Sequence, residues 1–195
     1  MFNSPLGSSA ADRIDRFLNE HPNGALFVAV GYASVAGLAW LGERTVGRPV
    51  ALIIGNAQAS RFQKATAADK GAAVEFLRRR DVEVRNWYRT GRGGGAASDA
   101  HLKVWAVLGP GGHATAALVG SANLTRQGLF ENVETCVEAS DADLPVLRQQ
   151  ITALREAAWD CRESISCVPT RRFAAWEWPS TGSGAGWRWA PAPLR

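Results

Sequence analysis

Residues 25–32, Ala-Leu-Phe-Val-Ala-Val-Gly-Tyr, form an apolar run without polar alternation, preceded by the turn signal Pro22-Asn23-Gly24. A strand of this kind has no face to offer to water, so both of its faces must be covered, and that requires a sheet with helices packed on each side. Residues 49–55, Pro-Val-Ala-Leu-Ile-Ile-Gly, repeat the pattern. Helical patterns fall between such runs. Residues 6–19 carry Ser8 or Ser9 as a cap and Ile14, Phe17 and Leu18 on one face, residues 34–44 return as a helix, and residues 67–80 place Ala72, Phe76 and Leu77 inward. Residues 82–88 read as a third strand, leading into a loop over 89–97 with three consecutive glycines at 93–95. Strand and helix alternating in this way predict a sheet that is parallel at its start.

Two strands then follow with no helix between them, residues 101–108 and 115–121, joined by Gly109-Pro110-Gly111-Gly112, which is a hairpin signal. A short helical turn over 124–130 precedes a strand over 132–138. The longest helical pattern covers 144–162, with Leu147, Ile151, Leu154 and Ala158 at three- and four-residue steps. The fold class expected is α/β, a mixed, largely parallel sheet sandwiched between helices over residues 1–163. Residues 164–195 change composition and read as an irregular Trp-rich C-terminal tail or arm. In that tail Trp176 and Trp178, then Trp187 and Trp189, flank Pro-Ser-Thr-Gly-Ser-Gly-Ala-Gly. Their equal spacing suggests a hairpin-like arm whose indoles pack over the body or a partner chain, with base stacking as the alternative.

With 195 residues, 46% of them hydrophobic, the chain can bury one core. No run of eighteen uncharged apolar residues occurs, and the N-terminal segment carries Asp12, Arg13, Asp15 and Arg16 where a signal peptide needs apolar residues, so a soluble, cytoplasmic protein is expected. Cys136, Cys161 and Cys167 show no C-x-x-C spacing, which argues against a zinc site or a disulfide framework and for thiols of a reducing compartment. The net charge is +4, and only three of the 22 basic residues are lysines, Lys64, Lys70 and Lys103.

Lys103 is therefore against compositional habit, and it stands in His101-Leu-Lys103 on a predicted strand, where side chains two apart share a face. The next strand ends in Gly120-Ser121-Ala122-Asn123, and Asn132-Val133-Glu134 repeats the two-residue spacing on the strand after. Three neighbouring strand ends can thus gather an imidazole, an ammonium, an amide and a carboxylate. A phosphodiester undergoing attack shifts negative charge over its non-bridging oxygens, and fixed donors such as Lys103 and Asn123 suit that charge. His101 can attack phosphorus, which splits one difficult step into two, and Glu134 can hold the far ring nitrogen and fix the tautomer. A lone H-x-K is more often a surface pair; the three elements together carry the argument.

These residues resemble the phospholipase D superfamily, whose motif runs H-x-K, then G-S-x-N, then a later acidic residue, and the likeness covers residues 10–160. The resemblance implies His101 as nucleophile, Lys103 and Asn123 as phosphate binders, Ser121 as a helper and Glu134 as the orienting partner of the histidine, with no metal and no cofactor. The fuller motif has an aspartate five positions after the lysine, where this chain has Leu108. A similar loss is seen in the metal-independent restriction nucleases of that family, so the departure weakens a lipase reading more than a nuclease reading. The family mechanism uses two histidines, one attacking and one protonating the leaving oxygen. This chain has a single H-x-K, and neither His21 nor His113 supplies a second, so a homodimer sharing one site is implied.

Arg78, Arg79, Arg80, Arg85, Arg89 and Arg92 are interleaved with Trp87 and Tyr88. Alone this stretch reads equally well as a solvated helix end, because helix C-termini favour cations. Beside a phosphodiester site, a groove that tracks a nucleic-acid backbone is the better reading, with Arg85, Arg89, Arg92 and Trp87 as contacts and Arg126 as a further one. The function expected is hydrolysis of a nucleic-acid backbone, DNA in preference to RNA. The resemblance extends to small proteins of bacterial defence or restriction systems that work beside a helicase or methyltransferase. A phospholipase or phosphatidyl transferase, and an inactive nucleic-acid-binding module, are the alternatives; no amphipathic membrane helix supports the lipid reading.

Overall fold

The computed structural model describes residues 8–56, 65–87 and 101–160. Arg89, Arg92, the triple-glycine loop and the tail over 164–195 lie outside the described residues. The first helix, α1 (Ala10–Glu20), is started by a reciprocal cap. Asp12 N–H donates to Ser9 Oγ at 3.1 Å and Ser9 N–H donates to the Asp12 carboxylate at 2.9 Å, which selects Ser9 over Ser8. The chain continues through β1 (Ala25–Tyr32), α2 (Val35–Arg44), β2 (Val50–Asn56), α3 (Ala67–Arg78) and β3 (Val82–Asn86). Next come β4 (Lys103–Leu108), β5 (Ala114–Gly120), β6 (Cys136–Glu138), α4 (Leu144–Ala157) and β7 (Trp159–Asp160).

One seven-stranded sheet results, in the order β6-β5-β4-β1-β2-β3-β7. It is mixed. The parallel pairings are β1 with β2 and β2 with β3, each reached through a helix, while the hairpin half and β7 pair antiparallel. β1 sits between β2 and β4, which is why its apolar run needs no polar face. Leu26, Val28 and Val30 join one core with α1, α2 and α3, and Ala25, Phe27 and Ala29 join a second core with Ile151 of α4. No described helix is long and apolar enough to cross a membrane.

Several boundaries differ from the sequence reading, each for a local reason. In α3 the buried alanine is Ala73 rather than Ala72. The helix ends at Arg78 because Arg79 turns away, its guanidinium donating to the carbonyls of Gly42, Thr45 and Arg48 and pairing with Asp81 at 2.7 Å. The expected strand over 132–138 begins only at Cys136. Short of it, Ser121 replaces a strand backbone, with Thr135 N–H donating to Ser121 Oγ at 3.0 Å and Ser121 N–H donating to the Thr135 carbonyl at 2.9 Å. The predicted helix over 144–162 stops at Ala157, and β7 follows against β3, a two-residue strand too short to leave a periodic signal.

Candidate active site

The topology brings the motif residues to one end of the sheet. β4 runs antiparallel to β1, so Lys103 lies opposite Val30 near the carboxyl end of β1. β5 returns along β4, so Val119 lies opposite Val104, and Gly120 meets Cys136 on β6. After β3 the chain crosses back to the other side of β1, and the gap between β4 and β1 is therefore the point where strand order reverses. Crevices outside the carboxyl ends of strands at such points are the usual ligand sites of open α/β sheets.

His101 is exposed and stands just ahead of β4; Lys103, the first residue of that strand, is only 7% exposed. The two side chains meet, with Lys103 Nζ 2.9 Å from His101 Nδ1 and 3.1 Å from Nε2. An ammonium can donate only to a lone pair, so the accepting ring nitrogen carries no proton. Burial pushes the Lys103 pKa down, opposed by the nearby charge of Glu134. Among the described residues no carboxylate forms an ion pair with Lys103.

Asn123 is fixed by Tyr32, whose backbone N–H donates to Asn123 Oδ1 at 3.0 Å. Only the oxygen of the amide can accept, so this bond engages the oxygen and leaves the NH2 end as the group able to donate to a ligand. The segment carrying Asn123 is held tightly. Leu124 N–H donates to the Tyr32 carbonyl at 3.1 Å, and Ser34 N–H donates to the Leu124 carbonyl at 2.9 Å. Gly37 in the first turn of α2 lies so close that a Cβ there would come within 2.0 Å of the Leu124 carbonyl oxygen.

Glu134 is placed differently from the expectation. Its carboxylate accepts from Ser121 Oγ and, at 3.2 Å, from Asn132 Nδ2, while the hydrogen-bond partner of His101 is Lys103. Because residues 132–135 leave the strand ladder, the Glu134 carboxylate turns to Ser121 and holds that hydroxyl. Cys136, beside them, is half-buried. Burial pushes its thiol pKa up, Arg13 lowers it and Glu134 raises it further, which keeps the sulfur in its unreactive protonated form.

Of the predicted nucleic-acid contacts, Arg85 is committed to the fold. Its guanidinium pairs with Glu83 and donates to the carbonyl of Arg155 at 2.7 Å, tying β3 to the end of α4. Trp87 is half-buried against the second core. Arg126 is exposed in the turn after Asn123 and pairs with Glu131 at 3.1 Å. Sequence reasoning missed Tyr32, whose ring meets the His101 imidazole edge-on with centroids 6.1 Å apart and whose main chain orients Asn123. A tyrosine closing an apolar strand carries no motif; only the register of β1 against β4 gives it away. Leu108, where the fuller family motif has an aspartate, is buried in the second core at the far end of β4, roughly 16 Å of strand from Lys103. Its identity therefore does not touch the site. Among the described residues no three His, Cys, Asp or Glu side chains come together as metal ligands.

The fold is that of the phospholipase D superfamily. A phospholipase D family member, Nuc from Salmonella typhimurium, superimposes with a TM-score of 0.51 at 16% identity, covering 80% of this chain and 93% of its own. NucT from Helicobacter pylori aligns with a TM-score of 0.49 at 13% identity, over 76% of this chain and 93% of its own. No protein-family model and no curated protein matches the sequence.

Proposed function

We propose that this chain is a metal-independent phosphodiesterase that hydrolyses the DNA backbone through a phosphohistidine, in a site shared by two copies. The observation that carries this reading is the convergence of an exposed imidazole, a buried ammonium in contact with it, and an amide whose oxygen is engaged by Tyr32 N–H, at the point where strand order reverses. A buried ammonium that has no carboxylate partner among the described residues is costly unless an anion completes its site, and a phosphate oxygen is such an anion. In this reading an arriving phosphodiester takes the Lys103 ammonium from the ring and leaves the imidazole lone pair free to attack. A nitrogen–phosphorus bond forms, the phosphorus–oxygen bond to the leaving strand breaks, and the partner's His101 gives that oxygen a proton. Water then attacks phosphorus, the partner's His101 takes the water proton, and the nitrogen–phosphorus bond breaks.

Support for the second copy comes from the sheet edge beside the site. Val137, on β6 at the end of the sheet among the described residues, is 61% exposed beside its cross-strand partner Val119 on β5, and Val133, in the segment before β6, is 60% exposed. Apolar side chains on an edge strand next to a half-complete site suit a self-complementary interface. Val137→Arg is expected to give a monomer by size exclusion with light scattering and to lower turnover at least ~100-fold, the scale of removing general acid catalysis. A monomer with the full rate contradicts the shared site.

The reading itself is tested by incubating the protein with single- and double-stranded DNA, RNA and phosphatidylcholine vesicles in excess chelator. Cleavage of DNA at an undiminished rate is the expected result. Headgroup release in place of DNA cleavage makes it a lipid enzyme, and binding to DNA without cleavage makes it a binding module.

A further inference from the structure

A cleft of about 900 Å³ opens between α2, the start of α3 and the turn that follows Asn123. Its walls include Trp40, Glu43, Asp69, Arg126, Phe130 and Glu131. Both sides are anchored to the site. The turn over 125–131 folds back on Asn123, with Thr125 N–H donating to the Asn123 carbonyl at 2.8 Å, and α2 is capped by Ser34, whose N–H donates to the Leu124 carbonyl. One wall of the cleft is therefore continuous with the segment that carries the amide assigned to the phosphate.

Its chemistry is not that of a phosphate site. Arg126 is already paired with Glu131 and Glu43 with Arg44 at 3.4 Å, while Asp69 adds a third carboxylate, so the cation in the cleft wall is engaged by a carboxylate and not held ready for a phosphate. The apolar element is Phe130, 46% exposed yet braced. Trp40 meets it edge-on at 6.4 Å, and Trp105 in turn meets Trp40 at 6.1 Å, so the exposed ring is fixed before any ligand arrives. A flat ring with amino groups on its edge fits such a place, its face on Phe130 and its donors on the carboxylates, while the attached phosphate stays outside the cleft.

We infer that this cleft receives an unstacked nucleobase next to the scissile phosphate, so that the substrate is single-stranded or locally unpaired DNA. This rests on the nuclease reading above. A base inside a duplex reaches the cleft only by leaving its stack, which costs binding energy that a single strand does not spend.

The test uses the full chain carrying His101→Asn to prevent turnover, with 2-aminopurine placed in a single-stranded oligonucleotide and in the matching duplex. The single strand is expected to bind at least tenfold more tightly than the duplex, with 2-aminopurine fluorescence quenched on binding. Phe130→Ala is expected to remove the quench and weaken binding about tenfold, the scale of one stacked base. Ala36→Trp, which fills the cleft from α2 without removing a wall, is expected to do the same in a protein with an unchanged thermal melt. If both variants bind as the parent does with the quench intact, the cleft assignment is wrong and the nuclease reading stands. If the parent binds neither oligonucleotide, the nuclease reading falls and takes the cleft with it.

Discussion

His101→Ala is expected to lower DNA cleavage by at least ~10⁴-fold while leaving fold, dimer and DNA binding in place, because removal of a covalent nucleophile abolishes both chemical steps together. The side chain is exposed, precedes β4 and contacts Lys103 and Tyr32, so its loss opens no cavity in either core. The shared site adds a sharper consequence. A mixed dimer of wild-type and variant chains lacks either the attacking or the protonating imidazole. After full subunit exchange with a roughly ninefold excess of variant, activity per wild-type chain should fall to about one tenth, the fraction still paired with its own kind. Single-turnover assays on exchanged mixtures measure this directly. Unchanged activity per wild-type chain would show that each subunit works alone.

Lys103→Met is expected to lower turnover by about 10²- to 10³-fold, the usual cost of removing one fixed donor from developing phosphate charge. The same substitution should stabilise the protein. Burial holds the Lys103 pKa below the usual lysine range, so the unfolded chain binds this proton more tightly than the folded one. Stability is therefore reduced wherever both states are protonated, and it recovers as pH rises from the depressed folded value towards the ordinary one. Methionine keeps the length of the stem and removes the buried charge. At neutral pH a higher Tm than that of the wild-type protein is expected. The wild-type rate should fall on the alkaline side as Lys103 loses its proton below the usual lysine range. Lys103→Arg, which does not titrate there, should lose that limb even at a reduced rate. A Lys103→Met protein that melts earlier and cleaves normally would remove the ammonium from both arguments.

Much of the frame was legible because it depends on short-range pattern. The unbroken apolar runs that became β1 and β2, a serine cap at Ser8 or Ser9, and the Gly109 to Gly112 hairpin are signals in which a residue type and its local backbone state are tied together. Of His101, Lys103, Ser121 and Asn123 only Lys103 lies on a strand; His101 precedes β4 and the other two follow β5, so the spacing pointed to strand ends rather than to a shared strand face. What failed to show in the sequence depends on distant partners. Glu134 was assigned to His101 on strand spacing, yet the segment around it leaves the ladder and the carboxylate turns to Ser121. Arg85 belongs to a basic stretch by sequence and to an internal tie between β3 and α4 by structure. β7, Tyr32 and the braced ring of Phe130 carry no local signature at all.

From the chain alone come two strands with no wet face, a hairpin after them, and a histidine, a lysine, a serine and an asparagine spaced to share strand ends. Their meeting is another matter. That β4 returns on the far side of β1, setting Lys103 against the end of an apolar strand and Tyr32 against His101, depends on which sheet edge the chain rejoins after β3. Local pattern selects the element and the face, but strand order and register come from burial across the whole sheet, where contacts between residues far apart in sequence outweigh the preferences of any one segment.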